Sequence, residues 1–255
     1  MSPMPSNASI AFGPGPMTPA VRSILIANVA VFVMTLFAPE VIVQAFGLSP
    51  TLVLEGLRVW QLGTYLFVHS PTQWSHILFN MLAVWMFGVE LERRWGTRAF
   101  VRYYFITGVG AGVSMILVSL LPFDDARLSY YATTIGASGA VYGLLMAWAI
   151  VFPHRQILFM LIFPLSARVY VTILGAIAFF SSLSASGGPV ANVAHLGGLV
   201  AGFIYLKSPS APLGRGPRNL QLNLRYYITK WRMERMRRKF NVHKGGRGNW
   251  DDRIH

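Results

Sequence analysis

Cysteine is absent from the 255 residues, which removes disulfide frameworks, thiolate nucleophiles and thiolate zinc sites together. Acids are nearly as scarce, with nine Asp and Glu against 22 Lys and Arg. None lies between Asp125 and Glu234. The six acids up to Asp125 sit at the ends of apolar runs or between them, so a buried carboxylate as third member of a catalytic triad is not expected. Charged residues make up 12% of the chain, against roughly 25% in a typical soluble domain. Hydrophobic residues reach 54%, so the main solvent of this chain is lipid.

The positive charge is unevenly placed. Residues 206–255 hold 13 Lys and Arg against three acids, whereas the first 205 residues carry a surplus of only three. Three segments follow. Residues 1–20, rich in Pro, Gly, Ser and Met, are expected as a disordered leader with no cleavable signal. Residues 21–207 form the membrane domain, and 208–255 a basic tail. In the tail, Leu220, Leu224, Ile228 and Trp231 recur at helical spacing amid arginines and lysines. This predicts an amphipathic helix over 218–240 lying on an anionic leaflet. A solvated basic extension is the plainer alternative, and contact with nucleic acid a minor one.

The apolar runs are Ser23–Ala38, Trp74–Leu91, Ala99–Leu121, Gly136–Phe152, Arg168–Leu183 and Val193–Tyr205. They predict an all-α polytopic bundle of six transmembrane helices, several shorter than the ~20 residues of a full crossing. Ile157–Pro164 is apolar but too short to cross and reads as a re-entrant or interfacial piece. With six spans, one side receives Arg22, Arg93, Arg94, Arg98, Arg155, Arg168 and the tail. The other receives Arg58 and Arg127 beside Glu55, Asp124 and Asp125. The bias puts both termini in the cytoplasm.

Polar residues enter this membrane domain at three places. The second, fourth and sixth runs all descend from the external side, and each carries its polar residues near its start: His76 and Asn80, Ser138, and His195. Polar groups in spans are costly and face an interior cavity, so their convergence marks a candidate site. Ser138 lies in Gly136-Ala137-Ser138-Gly139, where a helix N-terminus would offer free N–H groups to an oxyanion. Taken alone this small-residue segment serves packing just as well. Ala194, Gly198 and Gly202 repeat every four residues beside His195, a stripe for close helix contact. A lone intramembrane His also serves as a packed residue or a proton relay; paired with a Ser it can act as a base. His76 and Asn80, at i and i+4, share a helix face. The two histidines lack carboxylate company, a poor set for zinc. Neither metal nor cofactor is expected. A small transporter using the histidines would call for an internal repeat, and none is found.

The run His76-Ile77-Leu78-Phe79-Asn80, the segment Gly136-Ala137-Ser138-Gly139 and Ala194-His195-Leu196-Gly197-Gly198 together resemble the rhomboid intramembrane proteases. Glu92-Arg93-Arg94-Trp95-Gly96 resembles that family's Glu-x-Arg-x-Gly turn. The resemblance covers roughly residues 23–206. It implies a bacterial inner-membrane protease that cuts transmembrane protein substrates with a Ser138–His195 dyad. His76, Asn80 and the Ser138 N–H would form the oxyanion hole, Tyr142 would pack on the histidine, and Gly198 would be the close-contact glycine. Two departures stand out: Trp60-Gln61 replaces Trp-Arg, and His69 to His76 is about two residues longer than in relatives. The loop Ser184–Asn192, with Gly187 and Gly188, reads equally as a moving cap or a tolerant surface loop. The rival function is a catalytically silent rhomboid-like binder of transmembrane helices.

Overall fold

The structure, a computed structural model, describes residues 13–122, 124–159, 163–182, 189–213, 229–231 and 233. The chain divides into two units, Met1–Leu213 and Gly214–His255, and all elements below belong to the first. In chain order these are α1 (Pro19–Phe37), α2 (Pro39–Phe46), α3 (Pro50–Leu54), α4 (Gln61–Thr64), a 3-10 turn (Tyr65–Phe67), α5 (Trp74–Trp95), α6 (Thr97–Ser119), α7 (Asp124–Tyr131) and α8 (Ser138–Val151). A hairpin of β1 (Gln156–Phe159) and β2 (Phe163–Ser166) precedes α9 (Ala167–Ser182) and α10 (Pro189–Lys207).

This is a helical membrane bundle. The long helices α1, α5, α6, α8, α9 and α10 fall on the six apolar runs. Backbone groups in lipid must be satisfied within the protein, and a helix does this inside one segment. Among the described residues α1, α5 and α6 are long and apolar enough to cross a bilayer, while α8 and α9 are shorter apolar helices. The 14 residues of α8 rise about 21 Å, less than a hydrocarbon core of about 30 Å. The apolar piece at Ile157–Pro164 falls on the antiparallel hairpin, with Ile157 opposite Leu165. The amphipathic-helix expectation for the tail falls outside the described residues except at 229–231 and 233, and residues 184–188 of the loop before α10 also fall outside.

Helix ends are satisfied from a distance. α1 starts at Pro19, ahead of the expected Ser23, and the carboxylate of Glu92 on α5 caps it. Glu92 accepts the N–H groups of Ala20 and Val21, both at 3.0 Å, and the hydroxyls of Thr18 and Thr97. Arg93 donates to the carbonyls of Pro14 and Pro16, so residues 14–18, read as leader in the sequence, lie against α5. The Glu92–Gly96 motif is not a turn after a span. It is the last turn of α5, closed by Gly96 at φ +80°, a conformation that favours glycine.

The C-terminal carbonyls of α2 are capped by the segment that leads into and forms α4. Arg58 and Gln61 donate to the carbonyl of Gln44, Trp60 Nε1 to Ala45 and Thr64 to Phe46, at 2.8–3.2 Å. Gln61 is fully buried, and its Oε1 accepts the Ser49 N–H. An amide is both donor and acceptor. Gln61 therefore supplies a buried anchor at the position where the resemblance implies an arginine.

α10 lies against both α6 and α8. Gly197 faces Ala111 and Ser114 of α6, while Gly198 and Gly202 face Gly139 and Gly143 of α8. A Cβ on Gly198 would overlap the Gly139 carbonyl. Tyr103 of α6 donates to the Gly143 carbonyl at 2.6 Å, tying the third helix into the same contact. Gly198→Val should therefore lower the unfolding free energy by at least about 3 kcal/mol or prevent folding. Gly63→Ala, where no atom lies within 4 Å of the new Cβ, should stay within about 1 kcal/mol of the parent. Thermal unfolding of the purified protein in detergent checks both, and equal midpoints would refute the contact.

Candidate active site

Ser138 is the first residue of α8, and the chain leading to it is pinned on two sides. Leu48 and Thr134 exchange backbone hydrogen bonds of 2.9 and 2.8 Å, and the Gly136 N–H donates to the Tyr65 carbonyl at 2.9 Å. Gly136 then turns the chain at φ +116°. A Cβ there would lie 2.6 Å from His76 Nε2, so both the backbone and the neighbouring imidazole require glycine. The first helical hydrogen bond runs from the Val141 N–H to Ala137, and no side chain caps this end. The N–H groups of Ser138, Gly139 and Ala140 therefore have no partner within the helix. Behind Ser138, a Cβ on Gly139 would strike Ala111 of α6, so the nucleophile candidate sits on a helix held close to its neighbour.

His195 Nε2 lies 2.9 Å from Ser138 Oγ, the spacing at which a hydroxyl donates to a neutral imidazole. Tyr142, one turn after Ser138, stacks on the His195 ring with centroids 4.3 Å apart and planes 6° apart. The stack fixes the plane of the imidazole, and the Gly198–Gly139 contact one turn further along α10 fixes its distance. Among the described residues no carboxylate is paired with His195.

His76 and Asn80 occupy the first two turns of α5. They line, with Ser138, Tyr142, His195 and Tyr65, a cavity of about 500 Å³. Asn80 is buried and donates one amide hydrogen to the His76 carbonyl at 2.8 Å, which leaves the second for a ligand in the cavity. Behind His76 stands His69, fully buried, its ring edge-on at 5.0 Å. Burial first, then the neighbouring His76, pushes the His69 pKa down to about 4, so that ring stays neutral under ordinary conditions.

All the polar residues that the sequence brings together are therefore in one place: Ser138, His195, His76, Asn80 and Tyr142 share the cavity, and Gly136, Gly139 and Gly198 enforce its close contacts. Among the described residues no group of three His, Asp or Glu could hold a metal. Sequence reasoning missed Tyr65, whose hydroxyl donates to the Gly108 carbonyl at 2.7 Å and whose own carbonyl anchors Gly136. An aromatic in a three-residue 3-10 turn carries no periodic signal that would single it out. A Ser hydroxyl within hydrogen-bond reach of an imidazole, with free N–H donors beside it, can carry out acyl transfer.

Comparison with known proteins agrees in kind. The rhomboid domain family model matches residues 56–208. The chain is 33% identical over 137 residues to "Rhomboid protein 1, mitochondrial" of Saccharomyces cerevisiae, covering 53% of this chain and 38% of that protein. It is 27% identical over 168 residues to "Rhomboid protease GluP" of Bacillus subtilis, covering 66% and 29%. It is 25% identical over 190 residues to "Rhomboid protease GlpG" of Yersinia pseudotuberculosis, covering 74% and 61%. The chain spans less than two thirds of the length of each. With a rhomboid domain matched over more than half of its residues and a helical membrane bundle to hold it, this chain belongs to the rhomboid family.

Proposed function

We propose that the chain is an intramembrane serine endopeptidase that cuts transmembrane or juxtamembrane segments of membrane proteins. The observation that carries the proposal is the 2.9 Å approach of His195 Nε2 to Ser138 Oγ in a cavity walled by membrane helices. His195 takes the hydroxyl proton as Oγ bonds to the scissile carbonyl carbon, and the carbonyl electrons move onto oxygen. The Ser138 N–H, the free Asn80 amide hydrogen and a His76 ring N–H stabilise that oxyanion. Collapse breaks the C–N bond, and the leaving amine takes the proton from His195. Water then attacks the acyl-enzyme with His195 again as base, and the second collapse returns the proton to Ser138. No metal or cofactor takes part in this scheme.

The cut segment must expose its backbone to Ser138, so a helix-destabilising stretch is favoured. The basic residues at the ends of α5, α6 and α8 support a location with both termini in the cytoplasm, here of a bacterial inner membrane, with the cavity on the external side. The basic tail adds contact with an anionic leaflet.

Ser138→Ala and His195→Ala should each reduce cleavage of a model transmembrane substrate to background with folding kept, because the two residues act as a unit. A tenth of the activity remaining in His195→Ala would refute the base. Binding of transmembrane helices without any cleavage by the parent protein would point instead to a silent binder. Asn80→Ala should lower turnover by roughly 10- to 1000-fold with a smaller effect on KM. A rise in KM at unchanged turnover would make Asn80 a packing residue.

A further inference from the structure

A cavity of about 390 Å³ runs between α1 and α6, on a part of the bundle separate from the candidate active site. Pro19, Ser23 and Ala27 line one wall, and Thr97, Val101 and Phe105 the other. The two hydroxyls on these walls are already used: Ser23 donates to the Pro19 carbonyl and Thr97 to Glu92. The groove is therefore apolar in effect, and nothing in it can recognise a polar ligand. A second apolar cavity of about 280 Å³ continues it beyond Ala27 and Phe67 toward Met34.

Charge is concentrated at the mouth. Arg98 and Arg102 each follow a groove residue, Thr97 and Val101, by one position on α6, so their stems start at its edge. Both are exposed, and neither has an ion pair or hydrogen bond among the described residues. The nearby acids are occupied, Glu92 by the cap of α1 and Glu90 by Arg155 at 2.7 Å. From Pro19 to Ala27 the helix rises about 12 Å, within the ~15 Å depth of one leaflet.

We propose that this groove binds an anionic phospholipid of the leaflet that meets the starts of α1 and α6. One acyl chain lies between the helices, and Arg98 and Arg102 hold the phosphate with its net charge. Guanidinium groups suit phosphate because their planar donors bind two oxygens at once, and their apolar stems can follow the groove edge while the charged heads stay at the surface. The inference rests on membrane insertion alone and does not depend on catalysis by Ser138.

Native mass spectrometry of the full chain released from detergent tests it, with phosphatidylglycerol, phosphatidylcholine of the same chains, and glycerol 1-phosphate as probes. Phosphatidylglycerol should bind about 30-fold more tightly than phosphatidylcholine, the effect of two basic residues on one net charge. Arg98→Gln with Arg102→Gln should remove that preference, while Ala27→Phe, which fills the groove, should weaken both lipids. Equal affinity of the unaltered protein for the two lipids would overturn the proposal without any variant being needed. So would a preference that survives the double substitution, lipid binding unchanged in Ala27→Phe, or glycerol 1-phosphate binding as tightly as the lipid. Thermal unfolding in detergent, measured in parallel, should give midpoints close to the parent in both variants and reports that they are folded.

Discussion

The contact between Gly139 and Gly198, where two helix backbones meet with no side chain between them, is the constraint on which the rest depends. It sets the separation of α8 and α10, and that separation sets the 2.9 Å between Ser138 and His195. Lipid supplies no hydrophobic drive between helices, so close packing of small residues has to hold them. Gly202 against Gly143, and Gly197 against α6, extend the same arrangement along α10. A Cβ on Gly198 would overlap the Gly139 carbonyl and force the two helices apart.

A second demand comes from the ends of helices, where backbone groups lose their intrahelical partners. This protein meets it with side chains far away in sequence. Glu92 caps α1 across more than 70 residues, and the loop from Arg58 to Thr64 caps α2. Each cap is also a tertiary tie. The Glu92 cap locks α1 to α5 and α6, and the cap on α2, made partly by α4, leads directly into Tyr65, whose carbonyl holds the turn before Ser138. Helix termination and site construction are one network.

Among the described residues no carboxylate orients the base of the proposed dyad. In its place Tyr142 stacks on the His195 ring, and helix packing supplies the position. A flat aromatic face constrains the ring plane without placing a charge in a medium where charge is costly. The scarcity of acids in the sequence and the stacked geometry in the structure are two sides of the same adaptation to lipid.

The apolar runs alone determined that this is a helical membrane bundle and roughly where its long helices lie, because a span of that hydrophobicity has no other way to satisfy its backbone. Ser138, His195, His76 and Asn80 were legible for a related reason: polar groups within such runs stand out against the cost of burying them. Limits and local detail were less legible. α2, α3, α4 and α7 have at most eight residues each and are too short to stand out as apolar runs, and the Glu92–Gly96 motif, which resembles a turn in sequence, closes a helix. The roles of Gln61, Tyr65 and Glu92 could not be read at all, since each acts on backbone groups distant in the chain. The sequence by itself thus determined which polar residues stand inside the apolar runs, through the energetics of single spans. Only the tertiary structure decided that an imidazole stands within hydrogen-bond reach of a serine at a helix start, because that distance comes from the meeting of two glycines 59 residues apart.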